Sequence, residues 1–302
     1  MEQEQPLVAA TPWVARPQAR LGVGGIWALA RRKPLGALGA LIVLTLIALA
    51  LAAPIIAPYD YREQNRSELL KPPSAAHLFG TDNLGRDIFS RVLYGAQTSL
   101  YVGLVAVGLG TTLGSVIGLI SGYAGGRTDL YLQRLMDVLM AFPTLILAIL
   151  TVAMLGPTTT NVLLAMAIVF TPTANRVVRG AVLAEKENPY VDAARAMGAG
   201  GGRIVFQHLL PNVLAPIIVI ASTSLATAIL VESSLSFLGL GPPPPTPTWG
   251  AMLSVGSRTF FEQAPWMAIF PGIAISLTIL GFNLLGDALR DLLDPRLRGA
   301  RG

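Results

Sequence analysis

The chain has 302 residues, 53% hydrophobic and 13% charged, with a mean hydropathy of +0.59. Soluble domains carry about 25% charged residues, so this composition excludes an ordinary water-soluble fold and assigns the chain to a bilayer. The net charge of +5 does not mark a nucleic-acid binder, because the basic residues sit between apolar segments, and with no cysteine there is no disulfide, thiolate metal site or thiol nucleophile.

Residues 1–34 read as a polar cytoplasmic tail with Pro6, Pro12 and Pro17, reaching a membrane surface at Arg31, Arg32 and Lys33. Residues 35–57 follow without a charge, long enough to cross ~30 Å of hydrocarbon. The tail is too long, and the apolar run exceeds the ~7–15 residues usual, for a signal peptide, so a first span is expected here.

A polar loop of balanced charge then runs to residue 98. Loops of this length carry function or small structure of their own. Within it Asp82 and Arg86, and Asp87 and Arg91, stand four apart in the order a helix favours, which predicts a solvated amphipathic helix over 82–91.

The second predicted span, 100–120, carries Gly110, Gly114 and Gly118, with Gly122 just beyond, at every fourth position. In lipid such stripes let helix backbones approach closely, so this span belongs inside a bundle or at a subunit contact. A polar link, 125–137, holds Arg127 and Arg134. The third span, 138–155, is expected to kink at Pro143, and 156–160 to form a tight turn.

The fourth span, 162–178, is interrupted by Pro172, with Arg176 placed to snorkel. The fifth is 214–231, with Glu232 at its outer end, and the sixth is 267–285. Between these last two, residues 242–247 read as an extended, polyproline-like segment, and Trp249 and Trp266 suit an interfacial belt. Residues 287–302 form a basic tail.

Between the fourth and fifth spans, residues 188–211 are polar yet built like an ordered element. Asn188 suits a helix N-cap, Pro189 its first position, and Gly198 a left-handed end. Tyr190, Ala193, Ala194 and Met197 recur at helical spacing and give one short helix an apolar, small-residue face. Such a helix between two spans has no core of its own, which points to docking on another protein.

Lys and Arg number sixteen in the two tails and the 123–137 and 172–211 segments, against six in the alternate connections. The bias places both termini and the 188–211 stretch in the cytoplasm. The expected architecture is all-α and integral to the membrane: six transmembrane helices, N-in and C-in, with an extracytoplasmic loop after the first helix. Its regions are the tail 1–34, the first helix and loop 35–98, a five-helix core 99–286, and the tail 287–302.

The three lysines, Lys33, Lys71 and Lys186, do not follow glycine, so a phosphate-binding G-x-x-x-x-G-K loop is excluded, as is G-x-S-x-G. His77 and His208, the two histidines, are predicted on opposite membrane faces, and no metal or catalytic site is expected. The span centres hold no ionisable residue, which argues against a proton-coupled secondary carrier.

The residues Asp192-Ala193-Ala194-Arg195-Ala196-Met197-Gly198, followed by Leu210-Pro211, resemble the E-A-A…G…L-P motif of ABC importer permeases, with Asp192 in place of the usual Glu. Gly80-Thr81-Asp82 with Gly85-Arg86-Asp87, and Glu232-Ser233-Ser234-Leu235-Ser236-Phe237-Leu238-Gly239-Leu240-Gly241, are similar to the dipeptide/oligopeptide/nickel branch. The resemblance, covering about residues 30–300, implies a type I importer membrane domain in a bacterial or archaeal cell membrane. It implies a second permease subunit in a heterodimer, two ATPases that bind ATP and Mg²⁺, and an extracytoplasmic binding protein. No cofactor is implied for this chain itself.

It further implies that Tyr190, Asp192, Ala193, Ala194, Met197, Gly198 and Pro211 form the ATPase-coupling element, in a helix-in-groove contact. Two further sites stay open. Glu232 either faces the substrate pathway or caps and pairs at the interface; Arg86 and Asp87 either touch the binding protein or fold their loop. Peptides are the expected cargo, with nickel or another small solute as the alternative.

Overall fold

The computed structural model describes residues 33–293, with residues 256–258 described by backbone alone. Residues 1–32 and 294–302, most of the two expected tails, lie outside the described residues. Among the described residues the elements are helical, and the sole β feature is an isolated antiparallel bridge between Thr81 and Asp87.

Helix α1 (Pro34–Ile56) has 23 residues, a rise of ~34 Å that crosses ~30 Å of hydrocarbon. Leu41, Leu44 and Leu51 point outward, while Gly36, Gly39, Val43, Ala50 and Ala53 are buried. They pack on α9 (Trp266–Leu293). A Cβ on Gly39 would lie 2.6 Å from Leu284 Cβ and 2.9 Å from the Gly281 carbonyl, so the two backbones touch. An ion pair of Lys33 with Asp291 brings both ends of the described chain to the same end of the bundle.

The helix expected over 82–91 is corrected. Helix α2 (Ile88–Ala124) begins only after Asp87, whose carboxylate caps it by accepting from the Ser90 N–H at 2.8 Å. Ahead of it the chain turns at Gly85, at φ +72°, where a side chain would meet the Asn65 carbonyl. Asp82 holds this turn, accepting from Leu84 N at 2.8 Å, Arg86 N at 3.0 Å and Arg86 Nε at 2.7 Å. The Asp82–Arg86 pair therefore closes a loop rather than lining a helix. Asp87 goes to the cap, and Arg91 turns instead to the Tyr61 carbonyl at 3.0 Å and to Asp82 at 3.8 Å.

Gly110, Gly114, Gly118 and Gly122 all face α5 (Thr159–Glu185). An added Cβ would lie 2.7 Å from the Ala167 carbonyl, 2.3 Å from that of Thr171, 2.8 Å from that of Asn175 and 2.8 Å from Val182 Cγ1. Pro172 does not interrupt α5 as expected. The helix runs through it, as membrane helices tolerate a proline, and Thr171 Oγ1 donates to the Ala167 carbonyl at 2.8 Å alongside.

The third span is corrected too. The polar link is itself a helix, α3 (Gly126–Met140), split from α2 by Gly125 and Gly126 at φ +64° and +55°. It is pinned to α5 by a bidentate pair in which Arg179 Nε and Nη2 both reach Asp129 oxygens at 2.6 Å. The chain then bends by 90° into α4 (Thr144–Leu155), 12 residues and too short to cross alone. The break falls at Pro143, which forces the residue before it out of helical geometry. Among the described residues five helices are long and apolar enough to span, or six with this bent pair counted as one.

Helix α6 (Pro189–Ala196) leads through a glycine run into α7 (Gly201–Phe237). Helix α8 (Trp249–Thr259) precedes α9. Trp249, expected at an interface, is fully buried: its Nε1–H donates to the Val92 carbonyl at 3.0 Å and its ring lies on Gly95. Trp266 Nε1–H donates to the Thr81 carbonyl at 3.1 Å and ties the 57–87 loop to α9. Residues 242–247 are not extended, since the Thr246 N–H returns to the Pro243 carbonyl at 3.3 Å.

Candidate functional site

At the bundle end opposite the 57–87 loop, α6 lies across the ends of three long helices. Pro189 opens it, and Gly198, at φ +80°, closes it. The Gly198 N–H donates to the Arg195 carbonyl at 2.9 Å and the Ala199 N–H to the Ala194 carbonyl at 3.0 Å, the paired bonds of a Schellman cap. Asn188 stands at the N-cap position, but its amide donates to the Glu185 carbonyl at 3.1 Å and so closes α5 rather than opening α6.

The two faces of α6 are sorted differently from the sequence pattern. Val191 and Ala194 are buried, while Asp192, Ala193, Arg195 and Met197 are exposed. Ala194 is thus corrected from the outward to the inward face; its lack of bulk lets α6 sit close on the bundle. Val191 packs with Leu119 of α2, Val178 and Val182 of α5, and Ile204, Leu209 and Val213 of α7. Tyr190 is part of the anchor: its hydroxyl donates to Glu185 Oε1 at 2.6 Å and accepts from Asn212 Nδ2 at 3.1 Å. Burial, with the Glu185 carboxylate beside it, pushes this phenol up to about 12, so it stays a donor across the physiological range.

What remains outside combines apolar residues with the Asp192–Arg195 pair. Met197 is 81% exposed and Phe206 68%, and Ala193 and Ala196 of α6 are exposed as well. Asp192 carries only the surface pair with Arg195 Nη1 at 2.8 Å. Pro211 lies just past a widened turn, Ile204–Leu209, in which the Leu210 N–H reaches back five residues to the Val205 carbonyl. Widening makes room for a proline ring that would otherwise strike the carbonyl four residues back. Pro211 therefore follows the widened turn inside α7 and stands on the exposed surface.

The other candidate residues turn inward. Glu232 is completely buried in α7, where Ser236 Oγ donates to it at 2.8 Å. A pathway contact for Glu232 is not available in this conformation. Asp87 is buried under the cap of α2, and Arg86 is mostly covered and bonded to Asp82. Of the two roles left open for this pair, the geometry supports folding of the loop.

Sequence spacing gave no sign of His77, the loop's hub. Its ring lies beside Tyr59 at 4.8 Å, with Nδ1 2.9 Å from Asp87 Oδ1 and Nε2 2.8 Å from Glu68 Oε2. Ionised carboxylates only accept, so both ring nitrogens carry hydrogen and the imidazole is cationic. Burial opposes that charge, but Asp87 and Glu68 outweigh it and raise His77 above its ordinary 6.5. The His77 hydrogen bond lowers Glu68 below 4.5. The sign follows from linkage. Stability from His77 is full below 6.5 and is lost as pH rises through the raised value. That from Glu68 is full above 4.5 and is lost as pH falls through the lowered one. Limited proteolysis of the 57–87 loop should therefore be slowest between about pH 4.5 and 6.5 and faster at alkaline pH. A His77→Gln variant should lose the alkaline step.

Comparison with known proteins places these features in a family. Residues 114–299 match the model of the binding-protein-dependent transport system inner membrane component, and residues 24–73 that of the N-terminal TM domain of oligopeptide transport permease C. The chain is 44% identical over 301 residues to a dipeptide transport system permease protein of Alkalihalophilus pseudofirmus, covering 98% of this chain and 99% of that one. It is 47% identical over 272 residues to a di/tripeptide transport system permease protein of Pseudomonas aeruginosa, covering 88% and 89%. It is 45% identical over 298 residues to a glutathione transport system permease protein of Escherichia coli O157:H7, covering 98% of each. This chain belongs to the binding-protein-dependent transport system inner membrane components, and is a multi-pass membrane subunit of an ABC importer rather than an enzyme.

Proposed function

We propose that the chain is one of two different permease subunits in an ATP-driven importer of di- and oligopeptides, with α6 as its contact to a partner ATPase. The observation that carries this reading is α6 itself: a capped helix anchored in three helix ends and presenting Met197 and Ala193 outward. Exposed apolar patches of this kind mark protein contacts. Pressure on α6 passes through Val191 into α2, α5 and α7 by close packing, without a flexible linker. ATP and Mg²⁺ belong to the ATPase, and an extracytoplasmic binding protein delivers the cargo to the end carrying the 57–87 loop. The excess of basic residues at the α6 end supports an orientation with that end in the cytoplasm. The names of the relatives, which speak of dipeptides, di/tripeptides and glutathione, support a peptide cargo.

Reconstitution of this chain with a second permease, the ATPases and the binding protein tests the reading. Uptake of a labelled dipeptide should require ATP and the binding protein. Before the ATPases are added, cysteines placed singly at Ser74 and Asp192 in the cysteine-free chain should label from outside and inside respectively. ATP-independent uptake, or the reverse labelling, would overturn it.

A further inference from the structure

The loop end holds a cavity of about 280 Å³ between the start of α2, α8 and the 236–246 segment. Ile88, Met252, Val255 and Met267 supply apolar walls, and Arg86, Arg91 and Asp82 one polar side. Arg91 is only 6% exposed. Its polar contacts are the 3.0 Å bond to the Tyr61 carbonyl and the long 3.8 Å approach to Asp82. A guanidinium has five N–H donors, so most of the Arg91 fork is not used by these two contacts. Asp82 is already committed to Arg86 Nε and to two backbone N–H groups. Two guanidinium groups against one carboxylate leave the polar wall with an unmatched positive charge, enclosed by apolar surface.

We propose that this cavity is a transient subsite for the C-terminal carboxylate and last side chain of an imported peptide; this rests on the peptide reading above. A planar carboxylate matches the free fork of Arg91, and burial among apolar walls strengthens the bond. The methionines and prolines suit varied apolar side chains, because Met adapts its shape. Small-molecule pockets span about 300–1,000 Å³, so the cavity takes the end of a peptide rather than a whole oligopeptide. It would hold the carboxylate end after release by the binding protein.

The test uses the assembled transporter with Val255→Cys, a cavity residue 39% exposed, in a chain that has no other cysteine. The partner subunits are made cysteine-free. Trialanine should slow maleimide labelling of this cysteine about tenfold relative to trialanine amide, the scale of one charge-assisted hydrogen bond. Adding Arg91→Gln should abolish the difference; should that variant not assemble, Arg91→Lys, which keeps a charge but lacks the fork, should reduce it. Equal protection by acid and amide, protection by neither, or protection that survives loss of the guanidinium undiminished overturns the subsite. ATP-dependent uptake of trialanine by the same Val255→Cys complex reports separately on the importer reading, which stands if uptake persists and falls if uptake is absent.

Discussion

Replacing Gly114 by alanine should cost about 2 kcal/mol or more, within the range for overpacking a close contact. The same change at Gly108, six residues earlier on α2, should be neutral or stabilise by about 0.5–1 kcal/mol, the helical penalty of glycine relieved. The contrast follows from what each new methyl meets. At Gly114 it would lie 2.3 Å from the Thr171 carbonyl, 2.7 Å from Ala174 Cβ and 2.8 Å from the Asn175 N–H nitrogen, two of them backbone atoms that cannot swing aside. At Gly108 nothing lies within 4 Å. Relief at Gly114 would require α5 to move away from α2. That movement would disturb the layer holding Val102, Ala106, Val152, Val162 and Met166. In lipid the separation has no compensating hydrophobic term, because helix contacts there rest on packing itself. Thermal unfolding of the purified protein in detergent, read as loss of monodispersity, checks both variants. Equal stability of the two would mean that α2 and α5 are not in backbone contact.

The glycine stripe was legible because its period repeats over four positions. The short helix after Asn188 was legible because its proline and glycine carry conformational meaning of their own. Which way α6 faces was not. Ala193 and Ala194 are both small and apolar, so composition cannot tell the buried one from the exposed one; the choice is made by Val191 seating against α5 and α7. The 57–98 loop misled for a related reason. The four-residue spacing of Asp82 and Arg86 fits one helical turn, and it fits a tight turn closed at Gly85 equally well. Nor does local sequence pair His77 with Glu68 and Asp87, nine and ten residues away, since loop closure brings them together. Glu232 was ambiguous at a span end; its bond to Ser236 is an i,i+4 contact along α7, but its complete burial comes from the packing of other helices around it.

Under the proposed coupling role, Ala193→Glu and Ala194→Glu should fail in different ways although they are neighbours. Ala193 is on the exposed face of α6, so a glutamate there stays hydrated and the permease keeps its unfolding temperature. Its charge would still face the ATPase groove without a partner. Loss of a central interface contact costs 2 kcal/mol or more, so ATPase affinity should fall about 30-fold and uptake with it. Ala194 is 2% exposed, and a glutamate there must bury its carboxylate or lift α6 from the bundle. Burying a charge without a partner costs several kcal/mol, so this variant should lose the α6 contact as a folding defect. Proteolysis at the glycine run 200–202 should then accelerate. Gly198→Leu should fall between the two: a leucine at φ +80° costs about 1–2 kcal/mol and loosens the Schellman cap without placing charge on either face. The paired measurement is ATPase pull-down against thermal unfolding for each variant. Normal ATPase binding and uptake by Ala193→Glu would remove α6 as the docking surface. A stable Ala194→Glu permease with α6 still protected would contradict the inward seat of that residue.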